Sequence, residues 1–344
     1  MKKRFLRVLV DFVIAVLIII AVWIVDYKIP QKGIEAIELG ETLRNQQNVK
    51  VEESVKRKDS IDSTQIVMDK QDWHKKFKDK FTDTVIATDT SYTSPNLAIN
   101  LSQIQYDTGI LDKSESGKHE KYGTKISYVL ADIYIGNITC FQTAFAKNTY
   151  GVGYSEKLSD MSKKMKSVLA INGDSYSNDR HKENGTIIRN GVIYRAQQSN
   201  AETCVLKWDG TMEIYPPKQI DLRQLIDKGV YQSWVFGPSL LDENGKAKAD
   251  FITWDYIRES HPRTAIGYYE PGHYCLLIVD GRQKNSRGMF LDEMAKVFED
   301  LGCKLAYNLD GGHCSFMTFQ NDVANHPYKP EHEIADGIFL NEGL

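Results

Sequence analysis

Three short stretches of this chain end in residue types that can do chemistry. Asn308-Leu309-Asp310-Gly311-Gly312-His313-Cys314-Ser315 directly follows the apolar run Leu305-Ala306-Tyr307. Ile278-Val279-Asp280-Gly281-Arg282 carries the same acid-glycine ending, and Leu169-Ala170-Ile171-Asn172-Gly173-Asp174 repeats the theme. A rigid strand carries each acid to a sheet rim. The glycines permit φ > 0 and let backbone N–H groups approach a ligand closely. One strand ending in Asp-Gly marks a hairpin turn; three in one chain, joined by helices rather than short turns, point to one site. Basic groups accompany the acids. Arg263 enters a strand in His261-Pro262-Arg263-Thr264-Ala265-Ile266-Gly267, Arg282 follows Asp280 by two residues, and Lys284 lies beyond it. Arginine is the natural bidentate partner of phosphate or carboxylate, although the same pattern also serves structural ion pairs with Asp280 and Asp310. His313 and His261 are each a base, a ligand or plain polar surface. A divalent cation would find oxygen donors at the acidic edge. No H-E-x-x-H or EF-hand spacing supports one, so no cofactor is expected. Cys314 and Ser315 lack a nucleophile's sequence context.

Several elements must position these residues. Tyr274 to Val279 is a continuous apolar run, as in a strand buried on both faces. Phe290, Met294, Val297, Phe298 and Leu301 then trace one helix face, and Gly302 fits the stop. Lys304 to Leu309 is the next strand. Strand, helix, strand implies a parallel crossover, which brings Asp280 and Asp310 to one sheet edge. The 168–171 strand adds Asn172 and Asp174 if it runs the same way. Upstream, Leu158, Met161 and Met165 mark a short helix. Gly136-Asn137, Asn190-Gly191 and Trp208-Asp209-Gly210-Thr211 each read as hairpin connections. The expected fold is therefore mixed α/β or α+β. It combines a mixed sheet, antiparallel hairpins and a C-terminal parallel crossover.

The N-terminus predicts a compartment. Lys2, Lys3, Arg4 and Arg7 precede a largely apolar stretch from Val8 to Val25, near the lower limit for crossing a hydrocarbon core. No A-x-A-like cleavage site follows it, so an anchor fits better than a cleaved signal. The positive-inside rule keeps the basic tip cytoplasmic and places the body outside. The expected divisions are a tip and transmembrane helix over 1–27, a polar stalk with a short docking helix over 28–83, and a catalytic body over 84–344. Trp73, Phe77 and Phe81 give the docking helix its apolar face. A net charge of −3 leaves no nucleic-acid footprint. Five widely spaced cysteines, an odd number without a C-x-x-C pair, read mostly as small buried hydrophobes.

Taken in order, Asn172-Gly173-Asp174, Phe236-Gly237-Pro238-Ser239-Leu240, Arg263-Thr264-Ala265-Ile266-Gly267, Asp280-Gly281-Arg282 and Asn308-Leu309-Asp310-Gly311-Gly312 carry a resemblance. Over roughly residues 85–342 the chain resembles the phosphodiester glycosidase family. That family includes the catalytic domain of N-acetylglucosamine-1-phosphodiester α-N-acetylglucosaminidase and bacterial proteins linked to exopolysaccharide biosynthesis. Two departures stand out: His313-Cys314 precede Ser315 where the family places a small residue or Gln, and Ser175 separates Tyr176 from the Asn-Gly-Asp unit. The resemblance implies hydrolysis of the bond between an anomeric carbon and a phosphodiester oxygen. On that reading Arg263, Arg282 and the Gly311 and Gly312 N–H groups hold the phosphate, with Asn172 and His313 beside them. Asp310, Asp280 or Asp174 serves the anomeric centre, and Tyr176 stacks on the sugar. The expected partners are the membrane, through the N-terminal helix, and a glycan or sugar-phosphate substrate. The alternative is a non-catalytic glycan- or polymer-binding module in envelope assembly.

Overall fold

The computed structural model describes residues 10–20, 34–35, 73–111, 120–176, 185–220, 225 and 228–343. Two antiparallel sheets face each other. The larger has the spatial order Leu305–Asn308, Arg263–Glu270, His273–Val279, Lys125–Ile135, Leu97–Asp107, Ser91–Thr93 and Ile86–Ala87. The smaller runs Asp322–Val323, Met317–Phe319, Leu169–Asn172, Asp336–Leu340 and Phe141–Phe145. Between them lies a shared core, with Ile99, Val129, Ile133, Ile266, Leu276 and Ile278 on one side and Phe141, Ile171, Met317, Ile338 and Leu340 on the other.

The apolar run at 274–279 is continuous because its alternate residues face two different cores. Leu276 and Ile278 point inward, whereas Cys275, Leu277 and Val279 point outward. There the Leu291–Asp300 helix lays Met294 and Phe298 on them. The Leu158–Met165 helix covers the far face of the smaller sheet, packing Leu158 and Met161 on Ala170 and Phe339. The layers are thus helix, sheet, sheet, helix. A further three-stranded sheet, ordered Met212–Tyr215, Thr203–Lys207, Val230–Trp234, flanks them. As expected, Asn190-Gly191 turns a hairpin, with φ of 51° and 79°, and a second hairpin turns at 208–211.

The expected parallel pairing is corrected. Every strand pairing among the described residues is antiparallel. Arg263–Glu270 forms a tight hairpin with His273–Val279 and lies between it and Leu305–Asn308. The crossover through the helix therefore steps over one strand. Both outer strands still run the same way, so residues 280 and 310 leave at one edge. The Gly136-Asn137 hairpin is also corrected. Asn137 instead caps a 3-10 turn at Ile138–Cys140, accepting the Thr139 N–H at 2.9 Å, and the chain changes sheets.

Trp73–Lys76 is a single helical turn, and Trp73 and Phe77 are buried. A Cβ on Gly272 would come within 2.9 Å of Trp73 and 3.0 Å of Phe77, so this turn docks where only glycine leaves room. Residues 10–20 are helical and exposed. Among the described residues, no helix is long and apolar enough to cross a membrane. The rest of the expected anchor, 8–9 and 21–25, and most of the stalk, 28–33 and 36–72, lie outside the described residues. Cys140, Cys204, Cys275 and Cys303 are buried and free, as expected of small core residues.

Candidate functional site

Asp310 is held where the two sheets meet. Leu309 extends the strand ladder by donating its N–H to Thr264 O at 2.8 Å. Asp310 N then donates to Gly173 O at 3.2 Å, and Asn172 Nδ2 donates to Asp310 O at 2.6 Å. Asn172 Oδ1 in turn accepts from Thr264 Oγ1 at 2.8 Å and Phe316 N at 3.3 Å. Asn172, expected to touch substrate, instead pins the Asp310 backbone. Both amide ends of Asn172 are used, which is how a buried amide must be satisfied.

Fixed there, the Asp310 carboxyl lines a cavity of about 240 Å³. Burial pushes its pKa up to about 7, although the Cys314 thiol and the Gly311 N–H, at 2.9 Å, favour the ionised form. The carboxylates of Asp174 and Asp336 raise it further. A carboxyl poised near neutrality exchanges a proton at working pH. The Cys314 thiol is pushed well up by burial and by Asp310, so it is a neutral donor rather than a thiolate nucleophile.

The glycine N–H groups do not face the cavity as expected. Gly311 N–H donates to the Asp310 carboxylate and Gly312 N–H to Pro262 O at 2.9 Å. Glycine is needed here for close approach: a Cβ on Gly311 would sit 2.8 Å from Pro262 O.

The two arginines have different roles. Arg263 is buried, and its guanidinium donates to Met289 O at 3.0 Å and to Ile257 O and Glu259 O, both at 2.6 Å. It lines the cavity and also ties the 257–259 segment to the sheet edge. Arg282 has φ of 56°, a conformation that costs an L-residue and recurs at functional positions. Its Nη1 donates to Tyr328 OH at 2.7 Å, and its Nη2 to Tyr256 OH at 3.0 Å and His261 Nδ1 at 3.3 Å. Among the described residues it has no carboxylate partner, and it lines the same cavity as Asp310.

Asp280 shares the edge but not the cavity. Its Oδ1 accepts from His326 N at 2.9 Å and Asn325 Nδ2 at 3.1 Å, and its Oδ2 accepts from Ser127 Oγ at 3.4 Å. Burial raises its pKa. It anchors the 325–334 strap, and on this geometry Asp280 acts on the fold rather than from the cavity wall. Asp280→Asn is expected to lower stability by about 1–2 kcal/mol, the cost of weakening buried hydrogen bonds, and to leave turnover near wild type. Unfolding and rate measurements check this. Lost turnover at unchanged stability would return Asp280 to the chemistry.

Asp174 is buried in an ion-paired knot. Its Oδ2 accepts from Val235 N at 2.7 Å and lies 3.9 Å from Arg189 Nη2. Asp336 accepts from Arg189 through both Nε, at 2.9 Å, and Nη2, and from Asp174 N at 2.6 Å. Burial drives both carboxyls upward, and Arg189 pulls both down. Neither lines the cavity; the knot acts on Asp310 through its field. Tyr176 is buried beside Phe145 and Tyr150, not set against a sugar. A Cβ on Gly173 would sit 2.4 Å from Asp336 Oδ1. Gly173→Ala is therefore expected to destabilise by about 1–3 kcal/mol through overpacking, as read by chemical denaturation.

His313 lines the cavity, donates Nε2–H to Pro330 O at 2.9 Å and stacks on His332. Sequence reasoning named His261 but missed Phe236, Trp254 and Tyr256 on the cavity wall, and Tyr328, whose hydroxyl accepts from Arg282. Trp254 and Tyr256 are 42% and 51% exposed, unusual for such large rings. Their clustering in Trp254-Asp255-Tyr256 was the available signal. Among the described residues, no three His, Cys, Asp or Glu side chains are arranged to hold a metal ion.

The architecture is shared with solved proteins. The catalytic domain of zebrafish N-acetylglucosamine-1-phosphodiester α-N-acetylglucosaminidase, auto-inhibited by its pro-peptide, superposes with a TM-score of 0.54. The match has 19% identity and covers 73% of this chain and 89% of that one. A hypothetical protein from Synechocystis gives a TM-score of 0.51 at 12% identity, covering 72% and 62%. In sequence, the chain is 33% identical over 197 residues to the SPbeta prophage-derived uncharacterized protein YomE of Bacillus subtilis (strain 168). That match takes in 55% of this chain and 29% of the relative, so the chain spans under a third of that protein's length. The sequence profile of phosphodiester glycosidases matches residues 165–341, a little over half of the chain, and this stretch contains Asp310, Arg282 and the cavity that joins them. The chain belongs to the phosphodiester glycosidase family.

Proposed function

We propose that this protein hydrolyses sugar-1-phosphodiesters, releasing the sugar from its phosphate. The observation that carries this reading is one cavity with Asp310 poised near neutrality and Arg282 lacking a carboxylate partner among the described residues. Water attacks the anomeric carbon, and its proton passes to the Asp310 carboxylate. The bond from that carbon to the phosphate oxygen breaks, and its electron pair leaves on the phosphomonoester. Phosphate is a weakly basic leaving group, so the site needs no strong acid on that side. Arg282 neutralises the growing charge on phosphate, and Asp310 serves the cationic sugar. Trp254 and Tyr256 offer exposed ring faces to the sugar.

Bond choice is the test. In water enriched with heavy oxygen, this chemistry puts the label on the sugar; label on the phosphate would mean P–O cleavage and would contradict it. The proposed setting is extracytoplasmic. The basic tip and apolar 8–25 stretch would hold the chain in a membrane, with surface glycans or polymers as substrates. Digestion of the body by protease added to intact cells supports that placement, and protection of the body opposes it.

A further inference from the structure

Arg282 is the centre of a group that no catalytic step above uses in full. A guanidinium only donates. Tyr328 OH and Tyr256 OH therefore both act as acceptors toward it, at 2.7 and 3.0 Å. Each phenol keeps its own O–H proton, and neither hydroxyl donates to another group among the described residues. His261 fixes the third direction. Its Nε2 lies 2.7 Å from the carbonyl of Tyr256, which can only accept, so Nε2 carries the proton and Nδ1 is the acceptor facing Arg282. One cation thus orients two hydroxyl donors from separate elements.

The two tyrosines are held independently. Tyr256 sits in the one-turn Asp255–Arg258 helix, which Arg263 ties down through Ile257 O. Tyr328 sits on the strap, fixed before it by Asp280 at His326 N and after it by His313 at Pro330 O. Beyond that, Glu331 accepts from Ser159 N at 2.8 Å and Ser159 Oγ at 2.6 Å. Arg282 also lies over the Tyr328 ring, 5.3 Å from its centroid. So much anchoring is more than a solvated arginine needs.

We propose that Tyr256 and Tyr328 bind the phosphoryl oxygens of the substrate, forming with Arg282 a cradle of one cation and two hydroxyl donors. The arrangement matches a singly charged phosphodiester in charge. Its non-bridging oxygens are the acceptors that the two hydroxyls lack. The assignment rests on the hydrolase reading for the identity of the substrate, but not for the binding itself.

The probes are dimethyl phosphate and inorganic phosphate, titrated into the full-length chain and followed by phosphorus NMR. Wild type should bind both. Tyr256→Phe and Tyr328→Phe should each weaken binding about tenfold, and the pair about a hundredfold, with the thermal midpoint retained. Loss of Arg282 should abolish binding. Unchanged affinity in both Tyr→Phe variants, or no binding by wild type, overturns the cradle. Binding that weakens as expected in a chain that cleaves no sugar-1-phosphodiester keeps the cradle and removes the hydrolase reading. Hydrolysis with fully normal KM in both variants does the reverse.

Discussion

Asp310→Asn is expected to lower turnover by about 10²–10⁴-fold, the usual loss when a positioned acid or base is removed. Its backbone anchors should survive, because Asn172 and Gly173 bind the Asp310 main chain and not its carboxyl. Stability should move the other way. The folded carboxyl has a pKa of about 7, above the roughly 3.9 of an unfolded aspartate. A raised folded pKa favours folding below the unfolded value, and that contribution is lost as pH rises from about 4 through 7. Wild type therefore carries a penalty at pH 8 that Asn does not. The variant should melt higher than wild type at pH 8, and the gap should narrow toward pH 5. If ionised Asp310 takes the proton from water, wild-type turnover should fall as pH drops below about 7. Turnover rising there instead would assign Asp310 as the acid. Rates and thermal midpoints measured together across pH separate these cases.

Arg282→Met is expected to cost about 10²–10⁴-fold in kcat/KM. Methionine retains much of the stem's apolar packing but removes the charge and every donor. Two hydrogen bonds from a charged group to phosphate are worth about 1.5–3 kcal/mol each, and each 1.4 kcal/mol is a factor of ten. The change also releases Tyr256 and Tyr328 from their shared donor, so the loss should exceed that of either Tyr→Phe variant. A kcat/KM within a few-fold of wild type would remove Arg282 from substrate binding.

Asp310 was legible because its position follows from local pattern alone: an apolar strand, then an acid and two glycines. Arg282 was legible for the same reason, two residues past a strand end. The helix over 291–300 and the doubly buried 273–279 strand followed from periodicity. What failed was nonlocal. The strand at 263–270 interposes itself between two strands that sequence order pairs directly. The Gly312 amide is spent on Pro262 O, a partner 50 residues upstream. Asp280 carries the right chemistry but is consumed by groups far off in sequence, Ser127, Asn325 and His326, and Arg263 spends donors on carbonyls of the turn just before it as well as Met289 O. Tyr328 lies in a strap of mixed composition with no motif, and contacts of that strap with Arg282, His313 and Asp280, all far from it in sequence or held by other elements, bring it to the site.

The central claim is tested most directly by adding full-length wild-type protein and Asp310→Asn to a panel of sugar-1-phosphodiesters and measuring free sugar. Release by wild type, with the loss set out above in the variant, is the expected result. No release from any member of the panel, or equal release by both proteins, would contradict it.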